Sequence, residues 1–129
     1  MILYIETSAA AKLLVDEPAS SRLAARLDNA VDQDDALISS MLLEIELRRL
    51  AVRVDLAQAA VTHLLERFDL METDRSLYRE AGLLPGRHLR SLDALHLAAA
   101  LRVGADVMVT YDRRPAEAAD AAGLPVLAP

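Results

Sequence analysis

Short apolar runs alternate along the chain with longer stretches in which apolar residues recur at helical spacing. The apolar runs cover residues 2–5, 36–38, 68–71, 107–110 and 126–127. Each run is largely continuous and does not alternate apolar with polar positions, which is typical of a strand buried on both faces of a parallel sheet. The pattern therefore predicts five short strands.

The stretches between these runs predict seven helices, most of which start at a residue that can act as a cap. Their candidate caps or first residues are Thr7 or Ser8, Ser20 or Ser21, Asp55 (with Gln58 as a capping box), Asp74, Ser91 and Arg114. The third helix follows Ser39 and Ser40. The first helix is expected to reach about residue 15 and the fourth about residue 67. Residues 84–90 contain Pro85 and Gly86, which predict a loop.

Strands that alternate with helices predict an α/β fold. We expect a helix-rich, three-layer α/β/α sandwich with a short, mainly parallel sheet. Right-handed crossovers place helices on both faces, and a ligand crevice then lies beyond the carboxyl ends of the strands. Residues 1–129 contain no linker or repeat, so one domain is predicted.

Composition agrees with many helices and excludes several functions. The 129 residues are 53% hydrophobic and include 24 Ala and 24 Leu, which favour helices. Cysteine is absent, which excludes disulfides, thiolate metal sites and a thiol nucleophile. Lys12 is the only lysine and no GxGxxG occurs, which excludes the two common nucleotide-binding loops. No apolar run is long enough for a membrane span, so a soluble cytoplasmic protein is expected.

Four acidic residues occur where this fold would gather side chains. Glu6 follows the first predicted strand and Asp112 follows the fourth. Asp93 lies in the first turn of the helix that begins near Ser91, and Glu46 lies on one flank of the third helix. The carboxyl ends of parallel strands share one edge of the sheet, so we expect the four carboxylates to converge there.

Converging carboxylates repel one another unless a cation lies between them. Mg²⁺ and Mn²⁺ prefer oxygen ligands and keep several waters, so one or two direct carboxylates suffice to hold such an ion. The ion makes a bound water more nucleophilic and neutralises charge on a phosphodiester. The pattern therefore indicates metal-dependent hydrolysis of a phosphate ester.

Each acid also has a purely structural interpretation. Glu6 and Asp93 can favour a helix N-terminus, and Asp112 can cap the last helix. Glu46 can pair with a nearby arginine on a solvated face. Taken singly, these interpretations are favoured, and the catalytic hypothesis depends on the four acids together. His96 is interpreted as a hydrogen-bond partner or surface residue rather than a metal ligand.

Four segments resemble the PIN-domain ribonucleases and, within them, the VapC-type toxins of bacterial toxin–antitoxin modules. They span nearly the whole chain and read LYIETSAAAKLL, SSMLLEIELRR, LRSLDALHLAAAL and VTYDRRPAEAADAAGLPVLAP. The resemblance implies a PIN-like fold and Mg²⁺- or Mn²⁺-dependent endoribonuclease activity on RNA. It also implies a cognate VapB-type antitoxin as partner, and a homodimer.

The resemblance also implies roles for single residues. The catalytic acids would be Glu6, Glu46, Asp93 and Asp112. The metal ligands would be Glu6, Asp93 and Asp112. Thr7, Ser8 and Thr110 would line the site. Arg113 is expected to bind the substrate because of its charge and its position directly after Asp112, independently of the resemblance.

Glu6 departs from the family motif, in which an Asp usually precedes the Thr-Ser pair. The extra methylene displaces the carboxylate, and a misplacement of about 1 Å can lower a rate about a hundredfold. Side-chain adjustment or an intervening water would still let this carboxylate hold a metal. An alternative function therefore stays open, namely a catalytically weakened PIN-like module that acts mainly through antitoxin binding and regulation.

Binding of RNA and of a partner must use local surfaces, because the formal charge is −6 at pH 7. Arginines that can meet phosphates flank two of the acids: Arg87, Arg90, Arg113 and Arg114. They can equally be counter-charges on solvated helices. For the partner, we expect a helix lying in a groove near Leu13, Leu14, Leu23 and Leu27.

Overall fold

The computed structural model describes all residues from 1 to 129. In chain order the elements are β1 (Ile2–Ile5), α1 (Thr7–Ala11), α2 (Ser20–Asp32), β2 (Ala36–Ser40), α3 (Leu42–Arg53), α4 (Gln58–Leu65), β3 (Asp69–Met71), α5 (Arg75–Leu83), α6 (Ser91–Arg102), β4 (Val107–Val109), α7 (Arg113–Ala121) and β5 (Val126–Leu127). The strands form one sheet in the order β3-β2-β1-β4-β5, and every pair in it is parallel.

Two hydrophobic cores lie on opposite faces of this sheet. Along the central strand β1, Leu3 and Ile5 belong to one core and Tyr4 to the other, because successive side chains of a strand point to opposite faces. Helices α1 to α4 close the first core, and α5, α6 and α7 close the second. The predicted three-layer α/β/α sandwich with a parallel sheet is confirmed. No helix is long and apolar enough to span a membrane.

The order of the helices was predicted well, but the residues that cap their N-termini were predicted less well. Asp74 caps α5 as predicted, because its Oδ1 accepts a hydrogen bond from the backbone N–H of Leu77 at 2.9 Å. The cap predicted for α1 is wrong, since neither Thr7 nor Ser8 occupies that position. The cap is Glu6, whose carboxylate accepts from the backbone N–H of Ser8 at 2.9 Å.

The cap predicted for α4 is also wrong, whereas α3 begins after Ser39 and Ser40 as predicted. Ser39 and Ser40 end β2, and both hydroxyls bond to β1 instead of to α3. Asp55 has a positive φ of 56° and does not cap α4, which begins at Gln58 without a side-chain cap. Nor do serine side chains cap α2 or α6. The first helix ends at residue 11 and the fourth at residue 65, both earlier than expected.

The expected groove for a partner helix does not exist as described. Leu23 and Leu27 are fully buried in the first core, where α2 packs against the sheet. Leu13 and Leu14 are partly buried and pack against the same core. A partner cannot contact Leu23 or Leu27 in the folded protein, so the helical spacing of these leucines reflects core packing.

Candidate active site

The chain order of the strands creates a crevice at the carboxyl edge of the sheet. From β1 the chain passes to β2 and β3 on one side, and later to β4 and β5 on the other. Loops therefore diverge between β1 and β4, which is where open α/β sheets bind ligands. Glu6 directly follows β1, and Asp112 lies just beyond β4.

All four acids predicted from the sequence line one cavity at this edge. The cavity has a volume of about 540 Å³, and we call it the acidic cavity. Its acidic lining residues are Glu6, Glu46, Asp93 and Asp112, and its basic ones are Arg90, Arg113 and Arg114. The first turn of α6 supplies Asp93, and α3 supplies Glu46. Residues 87 positions apart in sequence, from Glu6 to Asp93, thus share one site.

Glu6 is held in place by the hydroxyl residues that sequence reasoning grouped with it. It is only 4% exposed, and its Oε2 accepts hydrogen bonds from the Thr110 hydroxyl at 2.7 Å and from both the backbone N–H and the hydroxyl of Ser8. The backbone N–H of Tyr111 donates to Ser8 Oγ at 2.8 Å and so links β4 to α1. Glu6 Oε1 forms no hydrogen bond with the protein and is not sealed from solvent.

Glu46 is oriented by a buried histidine. Its Oε1 lies 2.7 Å from His96 Nε2 and accepts from the Thr7 hydroxyl at 2.8 Å. Because a carboxylate only accepts, Nε2 carries the proton in this bond. Burial raises the pKa of Glu46, but the hydrogen bond and charge of His96, together with Thr7, bring that pKa below its ordinary value. Glu46 is therefore ionised at neutral pH.

His96 belongs to a hydrogen-bonded chain that extends into the second core. Its ring is 1% exposed, and its Nδ1 lies 2.8 Å from the Tyr4 hydroxyl. The Tyr4 hydroxyl donates to Ser40 Oγ at 3.2 Å. The interpretation of His96 as a hydrogen-bond partner is confirmed. The parts played by Tyr4 and Ser40 were missed, although a tyrosine hydroxyl in an otherwise aliphatic strand needs a buried partner.

Asp93 and Asp112 differ from the other two acids because their carboxylates make no hydrogen bond or ion pair with the protein. Loss of hydration raises the pKa of Asp93. The charges of His96 and Arg114 offset part of this rise, and the negative charges of Asp112 and Glu46 add to it. Loss of hydration and the charges of Glu6 and Glu46 likewise raise the pKa of Asp112. The carboxylates of the acidic cavity therefore repel one another, and a cation bound between them would relieve this repulsion.

The donor set of the acidic cavity suits a hard divalent cation. Asp93, Asp112 and the free Oε1 of Glu6 supply oxygen ligands of the kind that Mg²⁺ and Mn²⁺ prefer. No group of three or more His, Asp or Glu side chains is placed to hold a metal ion in this conformation. The residues therefore fit an ion bound directly by one or two carboxylates and through waters to the rest.

Carboxylates in such a cavity can hold a divalent ion, and arginines at its rim can contact phosphates. Residues 3–121 match the PIN domain family. Ribonuclease VapC35 of Mycobacterium tuberculosis is 41% identical over 134 residues, covering 99% of this chain and 97% of that protein. The chain therefore belongs to the PIN domain family, among relatives that are named VapC ribonucleases.

Solved structures show the same fold. Mycobacterium tuberculosis VapC20, described as a toxin that cleaves the sarcin–ricin loop, superposes with a TM-score of 0.76 at 17% identity, covering 98% of this chain and 99% of that one. VapBC2 from Rickettsia felis, bound to a DNA fragment from its promoter, superposes with a TM-score of 0.70 at 14% identity over 98% of each chain. At these identities the likeness concerns the fold alone.

Proposed function

We propose that this protein is a divalent-metal-dependent endoribonuclease and the toxin of a toxin–antitoxin pair. The observation that carries the proposal is the convergence of four carboxylates on one cavity at the carboxyl edge of the sheet. Membership of the PIN domain family and the ribonuclease names of the relatives support it. The substrate is RNA, and the bond that is cut is a phosphodiester.

The proposed ligands of Mg²⁺ or Mn²⁺ are Asp93, Asp112 and Glu6. When bound, the ion activates the attacking water and neutralises charge on the phosphate. Glu6 would contribute through Oε1, because its Oε2 accepts hydrogen bonds from Ser8 and Thr110. These hydroxyls fix the Glu6 carboxylate between the ends of β1 and β4.

Glu46 orients the attacking water in this mechanism. Its Oε1 is occupied by His96 and Thr7, which leaves Oε2 to accept a hydrogen bond from the water. The lowered pKa of Glu46 keeps it ionised and ready to accept that bond. At the rim, Arg90, Arg113 and Arg114 can contact the non-bridging phosphate oxygens.

The side chain of Glu6, which is longer than the usual Asp, supports one alternative to the endoribonuclease function. Glu6 Oε2 both caps α1 and bonds to Thr110, so a large part of this carboxylate serves the structure. In the alternative, the module is catalytically weakened and acts mainly by binding its antitoxin. Under both hypotheses the partner is a VapB-type antitoxin, the protein forms a homodimer, and it works in the cytoplasm.

RNA cleavage by matched variants tests the proposal. The parent, Glu6→Asp, Asp93→Asn and the control Asp120→Asn are incubated with RNA and Mn²⁺ or Mg²⁺, with EDTA as the metal-free arm. Asp120 is an exposed acid of α7 outside the acidic cavity. We expect cleavage by the parent and by Asp120→Asn, cleavage at least as fast by Glu6→Asp, and none by Asp93→Asn or in EDTA.

Two results would contradict parts of this scheme. Equal cleavage by all four proteins in EDTA would remove the metal mechanism. An inactive parent beside an active Glu6→Asp variant would favour the weakened binding module.

A further inference from the structure

Asp112 is placed by its backbone and not by bonds to its carboxylate. It occupies the N-cap position of α7, yet its side chain makes no cap hydrogen bond. Glu6 and Glu46 differ, because each gives one carboxylate oxygen to hydrogen bonds that orient the side chain. An oxygen engaged in such bonds is less available to a ligand. Fixing the chain beside Asp112 therefore keeps both of its oxygens available.

Tyr111, the residue directly before Asp112, is held at three points by separate parts of the chain. Its backbone N–H donates to Ser8 Oγ in α1 at 2.8 Å. Its hydroxyl donates to the backbone carbonyl of Pro129, beyond β5, at 3.0 Å. The ammonium of Lys12, which follows α1, lies 4.6 Å from the centre of its ring, within the limit of about 6 Å for a cation–π contact. The backbone, the hydroxyl and the ring of Tyr111 are thus each restrained.

Lys12, the only lysine of the chain, is itself fixed over the Tyr111 ring. Its ammonium forms an ion pair with Glu17, in the segment between α1 and α2. The Lys12 side chain is only 18% exposed. Partial loss of hydration strengthens a cation–π contact. Because Tyr111 also packs against the first core, its ring contacts both that core and a fixed cation.

We propose that Lys12 and Tyr111 form a clamp that positions Asp112 as a ligand for the divalent cation. We call this pair the tyrosine clamp. The inference rests on the metal-dependent mechanism proposed above. Both are positioning residues, since neither lines the acidic cavity. A single planar peptide unit joins Tyr111 to Asp112, so a shift of the Tyr111 backbone also moves the carboxylate.

The charge of Lys12 provides a competing explanation whose effect has the opposite sign. That charge lowers the pKa of Asp112 and offsets part of the rise caused by lost hydration. A lysine that acted only through its charge would repel a second cation, so removing it would tighten metal binding. A lysine that acts through the tyrosine clamp holds Asp112 in place, so removing it would weaken metal binding. The direction of the change in metal affinity separates the two explanations.

Mn²⁺ binding, followed by isothermal titration calorimetry without RNA, tests the tyrosine clamp. We expect Lys12→Met and Tyr111→Leu to bind Mn²⁺ about tenfold more weakly than the parent, the lower end of the effect of lost support around a metal ligand. Lys12→Arg should bind nearly as tightly as the parent, because a guanidinium also stacks on an aromatic face. Tyr111→Phe keeps the ring and loses only the bond to Pro129, so its affinity should lie between those of the parent and Tyr111→Leu.

The matched control for the lysine variants is Arg22→Met. Arg22 is an exposed cation of α2 whose charge also reaches Tyr111, but it is not stacked on the ring. We expect this control to bind Mn²⁺ as the parent does. Circular dichroism checks that every variant is folded.

RNA cleavage over a range of Mn²⁺ concentrations gives a second readout. For Lys12→Met, the Mn²⁺ concentration at half-maximal rate should rise by about the same factor as the Kd for Mn²⁺. A purely structural defect would instead lower the rate by the same factor at every Mn²⁺ concentration, and that result would overturn the clamp.

The outcomes also distinguish this inference from the proposed function. Unchanged or tighter Mn²⁺ binding by Lys12→Met would overturn the clamp, and so would an equal loss of affinity in Lys12→Arg. Variants in the expected order of Mn²⁺ affinity, with a parent that cuts no RNA, would support the clamp and contradict only the ribonuclease function. A parent that binds no Mn²⁺ would contradict the metal mechanism and the clamp together.

Discussion

Removing one hydroxyl group tests the buried chain that orients Glu46. The substitution Tyr4→Phe keeps the aromatic ring in the second core and deletes only its oxygen. That oxygen lies 2.8 Å from His96 Nδ1 and 3.2 Å from Ser40 Oγ. The variant therefore separates hydrogen bonding from packing at the centre of the sheet.

The size of the expected loss in stability follows from the burial of all three side chains. Tyr4, His96 and Ser40 are exposed by 0%, 1% and 1%, so water cannot replace the lost bonds without a rearrangement. A buried polar group left unpaired costs about 1–3 kcal/mol. We expect the free energy of unfolding to fall by about that amount, from a total of roughly 5–15 kcal/mol.

Urea unfolding followed by circular dichroism measures this loss. The matched control is Tyr78→Phe, since Tyr78 is 54% exposed and forms no side-chain hydrogen bond. The control should change the stability by less than about 0.5 kcal/mol. A less firmly held His96 also loosens Glu46, so RNA cleavage by Tyr4→Phe should slow, by up to about a hundredfold for a displacement near 1 Å. Equal stabilities for the two variants would refute the proposed buried chain.

Two further predictions follow from the charges of the acidic cavity. The pKa of Glu46 lies below its ordinary value of 4.5, so its hydrogen-bonded carboxylate stabilises the fold above that value, and this stabilisation is lost as the pH falls through the lowered pKa. Urea unfolding at a series of acidic pH values should show Glu46→Gln less stable than the parent near neutrality, with the gap closing in acid. The pKa of Asp112 is raised, so its ionised form destabilises the metal-free fold, and Asp112→Asn should be more stable than the parent in EDTA at neutral pH. Thermal unfolding with Mg²⁺ should reverse that order, because an ion at a hundred times its Kd adds about 2.7 kcal/mol to the parent. A parent that gains nothing from Mg²⁺ or Mn²⁺ would contradict metal binding at Asp112.

The order and class of the elements could be predicted because they depend on local pattern. Continuous apolar runs such as Ile2–Ile5 can be buried on both faces only in a covered parallel sheet, and the amphipathic stretches supply the cover. The gathering of the acids follows from the same topology, since Glu6 and Asp112 each come just after a strand. Their catalytic and metal-binding roles remain predictions.

Predictions of helix caps and of the partner-binding groove were wrong where a side chain has a partner that is distant in sequence. Ser39 could have capped a helix, but its hydroxyl donates to the backbone carbonyl of Ile5 at 2.7 Å. Leu23 and Leu27 have the spacing of a docking stripe, yet α2 turns them into the first core. Spacing along a helix identifies an apolar face and does not reveal what covers it.

Local sequence pattern was enough to predict the alternation of strands and helices, the parallel sheet and the acids at its carboxyl edge, because each depends on residues within a few positions of one another. Folding alone brings Tyr4, His96 and Glu46 into one hydrogen-bonded chain and places Thr110 beside Ser8 so that both brace Glu6. Apart from the local bond between Glu6 and Ser8, these contacts join residues 50 to 104 positions apart. Hydrogen bonds act over about 3 Å, so such partners are chosen by how the helices pack on the sheet.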